Sequence, residues 1–421
     1  MRGGVNCGCG IGASARFGVD CAALATGGTR VRLERQNDIG GEAAGRAGGL
    51  GRRSLLRAGA AALALVATPR VLGIAAAATG IPDKIIIGTL PFGTEVTAYI
   101  GDVDFFRDQG LSVELYHGPG GPAVVEALIA GTIPLGDVGI GPALAAARRG
   151  MALVQPALGA IGTPQQPFSR IMVRADSPFV DVAQLKGRKL ALHQRGTMED
   201  LGLAVLKKTH GIGREDLDVV LVPAERQPQA LAQGQVDAIY ALPPVDAVAE
   251  LRFGARTLIN TADFIPYLGY GTLAMRRDFV DAYPEAASRV MRAWLLFCRW
   301  IDDNAAAARQ ASDESLGIDA DLRDKQRLPY FARNALPVMP NVWHIYEMLV
   351  AARAMEATGD AAKLIEETVI EPTQRITLPV LDALGWSKDG VVQDMLRADY
   401  PLLPKPPETY YAEWEKKLLT M

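Results

Sequence analysis

The residues that could do chemistry in this chain are four histidines, four cysteines and a set of glycine-rich turns. Their spacing favours holding a molecule over transforming one. None of His117, His193, His210 and His344 sits at metal-ligand spacing with another His, Cys or carboxylate. No serine is framed as Gly-x-Ser-x-Gly, and no phosphate-loop lysine pattern occurs. Cys7-Gly8-Cys9 is too sparse for a metal site, Cys21 lies nearby, and Cys298 alone cannot close an internal disulfide. What remains are the turns. Gly118–Gly121 and Gly139–Gly141 look superficially like dinucleotide loops, but the third glycine and the ribose-binding carboxylate are missing. Turns of this kind present backbone N–H groups at helix starts, where a small molecule, above all a negative one, is stabilised. His117 and His193 each close an expected strand, so each reads as a loop histidine or as a cleft lining. Arg195-Gly196-Thr197 offers a cation, a close backbone approach and a helix cap. Thr197 with Asp200 also reads as a capping box, which would occupy the hydroxyl.

Such turns need a sheet to hold them. Three times an extended run meets a Gly/Pro turn and opens into a helical pattern. Lys84–Leu90 meets Pro91-Phe92-Gly93-Thr94, Leu111–Tyr116 meets His117-Gly118-Pro119-Gly120-Gly121-Pro122, and Leu135–Val138 meets Gly139-Ile140-Gly141-Pro142. Units of this form build a parallel sheet, and such sheets bind ligands beyond the carboxyl ends of their strands. A second α/β block follows, with strands at Lys189–His193, Leu217–Val222, Val236–Leu242 and Thr257–Ile259, and helices at Met198–Thr209 and Val245–Phe253. Two segments of one shape flank it, Ile171-Met172-Val173-Arg174-Ala175-Asp176 and Leu273-Ala274-Met275-Arg276-Arg277-Asp278. Each is an apolar strand, an arginine and an aspartate before a turn. They are expected to mark paired crossings between two lobes. Beyond them, Pro284–Asn304 carries Val290, Trp294, Phe297 and Ile301 as a helical stripe. Asn341–Gly359 does the same with Val342, Ile345, Leu349, Ala352 and Met355. Both stripes are expected to face the core.

At 421 residues the chain has room for two or more domains, and 49% apolar with 22% charged residues is ordinary for a globular protein. Aromatics at 6% are too few for a nucleic-acid stacking surface. Charge is uneven: residues 1–80 carry a net +6 and the remainder −9, which argues against nucleic-acid binding by the body. Gly51-Arg52-Arg53-Ser54-Leu55-Leu56-Arg57 precedes a weakly apolar Ala-rich run and Ala75-Ala76-Ala77-Ala78. Basic, apolar and small-residue regions in that order read as an export signal, and the pair Arg52, Arg53 resembles a twin-arginine signal. Cleavage is expected near Ala76–Ala78. Fifty residues ahead of the arginine pair are unusual for a leader, so translation is expected to start downstream of Met1.

The order of motifs resembles a known group. Lys84–Pro91 followed by Phe105-Phe106-Arg107-Asp108-Gln109-Gly110-Leu111-Ser112-Val113-Glu114 is similar to its opening strand, helix and second strand. Val125–Gly131 followed by Gly136-Asp137-Val138-Gly139 is similar to its third unit. Asp181–Lys189, Ala232-Gln233-Gly234-Gln235-Val236-Asp237-Ala238 and Arg299–Asn304 are similar to its entry into the second lobe, a later Gly-x-Val-Asp-Ala segment and a late helix. The group is the nitrate/sulfonate/taurine-type substrate-binding proteins of ABC importers, and the resemblance spans residues 84–305.

That resemblance implies an α/β, type II periplasmic-binding fold of two lobes with paired hinge crossings and a helical C-terminal extension. The implied layout is an N-terminal extension with its signal at 1–79, first lobe at 80–173, second lobe at 174–270, a helical return to the first lobe at 271–371 and a tail at 372–421. It implies ligand contacts at Pro91, Phe92, Gly93, Thr94, His117, Gly118, Gly139, Ile140, Gly141, Arg195, Gly196, Thr197, Leu242, Pro243, Tyr267 and Tyr270. It further implies a periplasmic protein that delivers its ligand to an ABC permease in the inner membrane; a monomer is expected, exported, on the reading of the leader, by the twin-arginine machinery. No enzymatic activity, cofactor or metal is expected. The sequence departs from the group at Met198-Glu199-Asp200, where two carboxylates at a helix start compete with an anion. A carboxylate, an aromatic acid or a neutral heterocycle therefore stands beside a sulfonate as the expected ligand. The alternatives are an enzyme related to the thiamine-pyrimidine synthases, whose cysteine cluster is absent here, and a ligand sensor that docks on a receptor.

Overall fold

The computed structural model describes residues 80–90, 104–164, 166–195, 197–265, 268–315, 318–323, 327–351 and 353–386. Among them no helix is long and apolar enough to cross a membrane.

The first sheet begins with the three expected strands, β1 (Ile85–Thr89), β2 (Val113–His117) and β3 (Leu135–Gly139), and also holds β4 (Leu153–Leu158). β1 lies between β2 and β3 and is parallel to both. Helices α1 (Gly121–Ile129) and α2 (Ile140–Arg148) follow the second and third strands. α1 sits unusually close to the sheet because Gly88 and Gly136 lie side by side beneath it. A Cβ at Gly88 would meet Val124 Cγ1 at 2.5 Å, and one at Gly136 would meet the same atom at 2.9 Å. The chain then leaves through the short strand β5 (Ala160–Gly162).

The second sheet contains β6 (Arg170–Val173), β7 (Lys189–Leu192), β8 (Asp218–Leu221), β9 (Ala238–Ala241) and β10 (Arg256–Asn260), in the order β10-β6-β9-β7-β8. Its helices are α3 (Met198–His210), α4 (Gln227–Ala232) and α5 (Val245–Phe253). The return runs through β11 (Leu268–Gly269) into β12 (Gly271–Arg276), which is antiparallel to both β3 and β4 in the first sheet. β5 and β11 pair antiparallel, and these are the two crossings. Arg170–Val173, assigned from the sequence to the first lobe, bonds to β9 and β10 in the second sheet. The echoed segments do share a local structure. Arg174 pairs with Asp176 (Nε–Oδ1 3.2 Å), and Arg276 pairs with Asp278 in the same way, each just past a strand that follows a crossing.

Helices α6 (Arg277–Ala282), α7 (Pro284–Asp303), α8 (Ala305–Ser315) and α9 (Met339–Ala351) complete the first lobe. Between the last two, β13 (Tyr330–Phe331) adds a third strand to the crossing sheet by pairing with β5. The α7 stripe Val290, Trp294, Phe297 and Ile301 is buried, and Trp294 donates its indole N–H to the Leu158 carbonyl at 3.1 Å. α9 is shorter than its apolar pattern, because the chain turns through Arg353 at φ 56°. Val342, Ile345, Leu349 and Met355 are nevertheless buried. The expected tail boundary at 372 falls inside a helical segment. α10 (Ala361–Ile365) widens into π turns at Glu366–Ile370 and Thr373–Thr377 and ends as α11 (Leu378–Ala383). This segment covers β4, an edge strand of the first sheet. Pro156 sits on that edge, where its missing N–H is tolerated, and its carbonyl accepts from Thr373 Oγ1 (3.2 Å) and Thr377 Oγ1 (2.5 Å).

Candidate functional site

A small cavity of about 70 Å³ lies where the two lobes and both crossings meet. Leu90, Gly121, Pro122, Gly139 and Pro142 line it from the first lobe, and His193, Thr197, Met198, Glu199 and Leu242 from the second. Phe168 and Tyr270 line it from the crossings, ring to ring at 4.6 Å in an edge-to-face arrangement. Most of this wall is apolar. The polar features are the side chains of His193, Thr197 and Glu199 and the first turns of α1, α2 and α3, where a helix leaves N–H groups unbonded, although Pro122 and Pro142 themselves carry none. At this point Gly120 of the first lobe faces Gln194 of the second so closely that a Cβ would fall 2.5 Å from Gln194 Oε1.

Of the expected contacts, Gly139, Thr197, Leu242 and Tyr270 line the cavity. Tyr270 presents its ring, because its hydroxyl is taken by Ser169 Oγ at 2.7 Å. Ser169 also bonds Thr261 Oγ1 at 2.6 Å, which in turn meets the Tyr240 hydroxyl at 2.8 Å. Burial pushes the Tyr270 phenol up to about 12, so it stays protonated. Pro243 is buried behind Leu242 and outside the lining. His117 is exposed at the end of β2, and Arg195 is exposed in its turn; neither lines the cavity. Gly118 is a packing residue, for a Cβ there would meet Val124 Cγ2 at 2.5 Å. Ile140 and Gly141 are buried on the core side of α2, with Gly141 against Ile345 and Leu349. Strand-end position identified the turns, but helical phase decides which turn residues face the cavity, and at α2 these are Gly139 and Pro142. Pro91, Phe92, Gly93, Thr94, Gly196 and Tyr267 lie outside the described residues, as do Arg52 and Arg53 of the leader.

The expected capping box does not form: Thr197 makes no cap hydrogen bond to the backbone. Its hydroxyl donates instead to Glu199 Oε2 at 3.2 Å. Glu199 is buried and also accepts from the His193 backbone N–H (3.2 Å), with His193 Nδ1 2.8 Å from Oε2. Burial raises the Glu199 carboxyl above its ordinary value, against the opposing pull of His193. Asp200 turns to Arg214. The two carboxylates expected to repel an anion are thus each engaged. Sequence spacing of six hid the His193–Glu199 pair, since neither a strand nor a helix brings such positions together. The turn between β7 and α3 does.

Comparison with known proteins places these features. A chain of Escherichia coli (strain K12) named as an aliphatic sulfonates-binding protein is 34% identical over 146 residues, covering 34% of this chain and 44% of that one. The match therefore spans less than half of that relative's length. The alkanesulfonate-binding protein from Xanthomonas axonopodis pv. citri, solved with MOPS, superposes with a TM-score of 0.54 at 21% identity, over 66% of this chain and 96% of that one. A desulfurization enzyme shares the fold at a TM-score of 0.51 and 16% identity, over 72% of this chain and 99% of its own. The two-lobed architecture is that of the type II periplasmic-binding proteins. The family model described as NMT1-like matches residues 80–313, more than half of the sequence, and the chain belongs to that family.

Proposed function

We propose that this chain is the solute-binding component of an ABC importer, and that it captures a small organic anion, a sulfonate before a carboxylate, between its lobes. The observation that carries this reading is the convergence of three helix N-termini, two from one lobe and one from the other, on a cavity whose remaining wall is apolar apart from His193. Each terminus favours a negative group by roughly 0.3–1 kcal/mol, and the apolar wall suits a carbon body. The relatives named for sulfonates support the headgroup. The pairing of Asp200 with Arg214 supports it too, because that carboxylate no longer opposes an anion. The ligand would pass to a membrane permease. The monomer would work outside the inner membrane, exported through Arg52 and Arg53 of its leader.

Binding over catalysis is the reading that the relatives named as binding proteins support, and the alternative related to thiamine-pyrimidine synthases calls for a cysteine cluster at the cavity wall. Among its described residues there is no thiol, and Cys298 is buried in α7, where burial raises its thiol far above the usual range. The test is calorimetry of the purified chain against alkanesulfonates, alkyl carboxylates, aromatic acids and pyrimidines. Saturable binding of an alkanesulfonate, tighter than the carboxylate of equal length, is expected. At a hundred times the dissociation constant it should add about 2.7 kcal/mol to stability. Binding confined to neutral heterocycles, or no binding across the panel, overturns the reading.

A further inference from the structure

The second-lobe wall of the cavity carries two ionisable groups that helix N-termini alone do not require. His193 closes β7 with its ring on the cavity, and Glu199 opens α3 beneath it, fully buried. The His193 backbone N–H donates to Glu199 Oε2 (3.2 Å), and Nδ1 lies 2.8 Å from the same oxygen, an ion-pair distance without hydrogen-bond alignment. Holding one proton, in whichever direction it is shared, the pair is neutral overall. Without it, the pair carries one negative charge at the wall where an anion would sit. A buried charge beside a like charge is strongly disfavoured in a poorly solvated site.

We propose that His193 and Glu199 act as one proton-holding unit that sets the charge of the cleft, so that an anionic ligand enters together with a proton. The inference rests on the reading of the cleft as an anion site. The proton comes from solvent, is held by the imidazole or the carboxyl of the pair, and returns to solvent when the anion leaves. The surrounding groups leave this role to the pair. Tyr240 lies below on β9 with its hydroxyl on Thr261, and Tyr270 on the crossing has its hydroxyl on Ser169. Asp200 on α3 is paired with Arg214, and Arg195 in the connecting turn is exposed. Gln194 beside His193 is uncharged, and the described lining from the first lobe, Leu90, Gly121, Pro122, Gly139 and Pro142, carries no titratable side chain. Burial, which raises the Glu199 carboxyl, is consistent with a pair that retains its proton more firmly than a free carboxylate.

The experiment is calorimetry of hexanesulfonate binding to the whole chain at one pH in two buffers of different ionisation enthalpy, repeated at several pH values. A sulfonate does not itself titrate there, so any proton exchanged belongs to the protein. Uptake rising towards about one proton per ligand with increasing pH is expected, with affinity weakening by up to about tenfold per pH unit. The double variant His193→Gln with Glu199→Gln, which leaves neither group to hold the proton, should abolish both the uptake and the pH dependence. Hexanesulfonate binding with no uptake overturns the inference while sparing the anion site. Uptake that persists in the double variant also overturns it. Failure of hexanesulfonate and every other anion to bind overturns the anion site itself, and this inference with it.

Discussion

At the scale of single residues, glycines in the turns have two different jobs, and only the fold separates them. Gly118 and Gly139 both stand between a strand and a helix in the sequence. Gly139 faces the cavity, whereas Gly118 lies against Val124, with room for no Cβ. Gly118→Ala should therefore cost about 1–3 kcal/mol by overpacking, read as a lower urea midpoint, and leave sulfonate affinity unchanged. Loss of affinity at unchanged stability would return Gly118 to the ligand. Among the lining residues that were not expected contacts, Leu90, Gly121, Pro122, Pro142, Phe168 and Met198 have no distinctive type or spacing. Glu199 was visible only as an obstacle to an anion. Its burial and its partner depend on how tightly the turn after β7 folds back, which no local pattern encodes.

At the scale of elements, strand–turn–helix order was legible because each unit is local. An apolar run of extended residues, a Gly/Pro turn and a helical stripe follow one another within some twenty residues; the second and third units have that order in the structure, and the turn and helix expected after β1 lie outside the described residues. The crossings were less legible. The echoed Arg/Asp segments mark strands just past the crossings, and the first of them belongs to the second sheet, not the first. What anchors it there is a long-range contact. Arg170, at the start of β6, reaches Asp246 in the first turn of α5 (Nε–Oδ2 3.1 Å, Nη2–Oδ2 3.0 Å), Glu250 (2.7 Å) and Thr257 Oγ1 (2.9 Å). Arg170 is 3% and Asp246 0% exposed, so neither can turn to water for compensation. Replacing one partner of such a pair leaves a buried charge unmatched, which typically costs 3–5 kcal/mol. Asp246→Ala should lower the unfolding free energy by about 3–5 kcal/mol, with Glu250 setting the lower end. A loss below about 1 kcal/mol would mean that the pair behaves as if solvated.

At the scale of the whole molecule, the cavity belongs to neither lobe, so a ligand held there as proposed would gain its full set of contacts only when the lobes are together. A ligand that touches both shifts the open–closed equilibrium by its differential affinity for the two forms. The crossings that must bend are short strands, β5 and β11, with β13 laid against β5. The lobes approach most closely where Gly120 faces Gln194. Gly120 is extended, at φ 175° and ψ 167°, so its backbone accepts any residue, and its smallness serves the approach between the lobes. A large side chain there is a wedge that leaves each lobe intact. Gly120→Phe should fold with a wild-type melting temperature in the absence of ligand. It should bind hexanesulfonate at least about tenfold more weakly, a loss of about 1.4 kcal/mol. Small-angle scattering separates a wedge from a damaged contact. The radius of gyration of the wild type should fall on saturation with ligand, and that of Gly120→Phe should stay at its unliganded value even when ligand is raised to saturate it. A variant that contracts as the wild type does would show that the lobes close without bringing these two residues together.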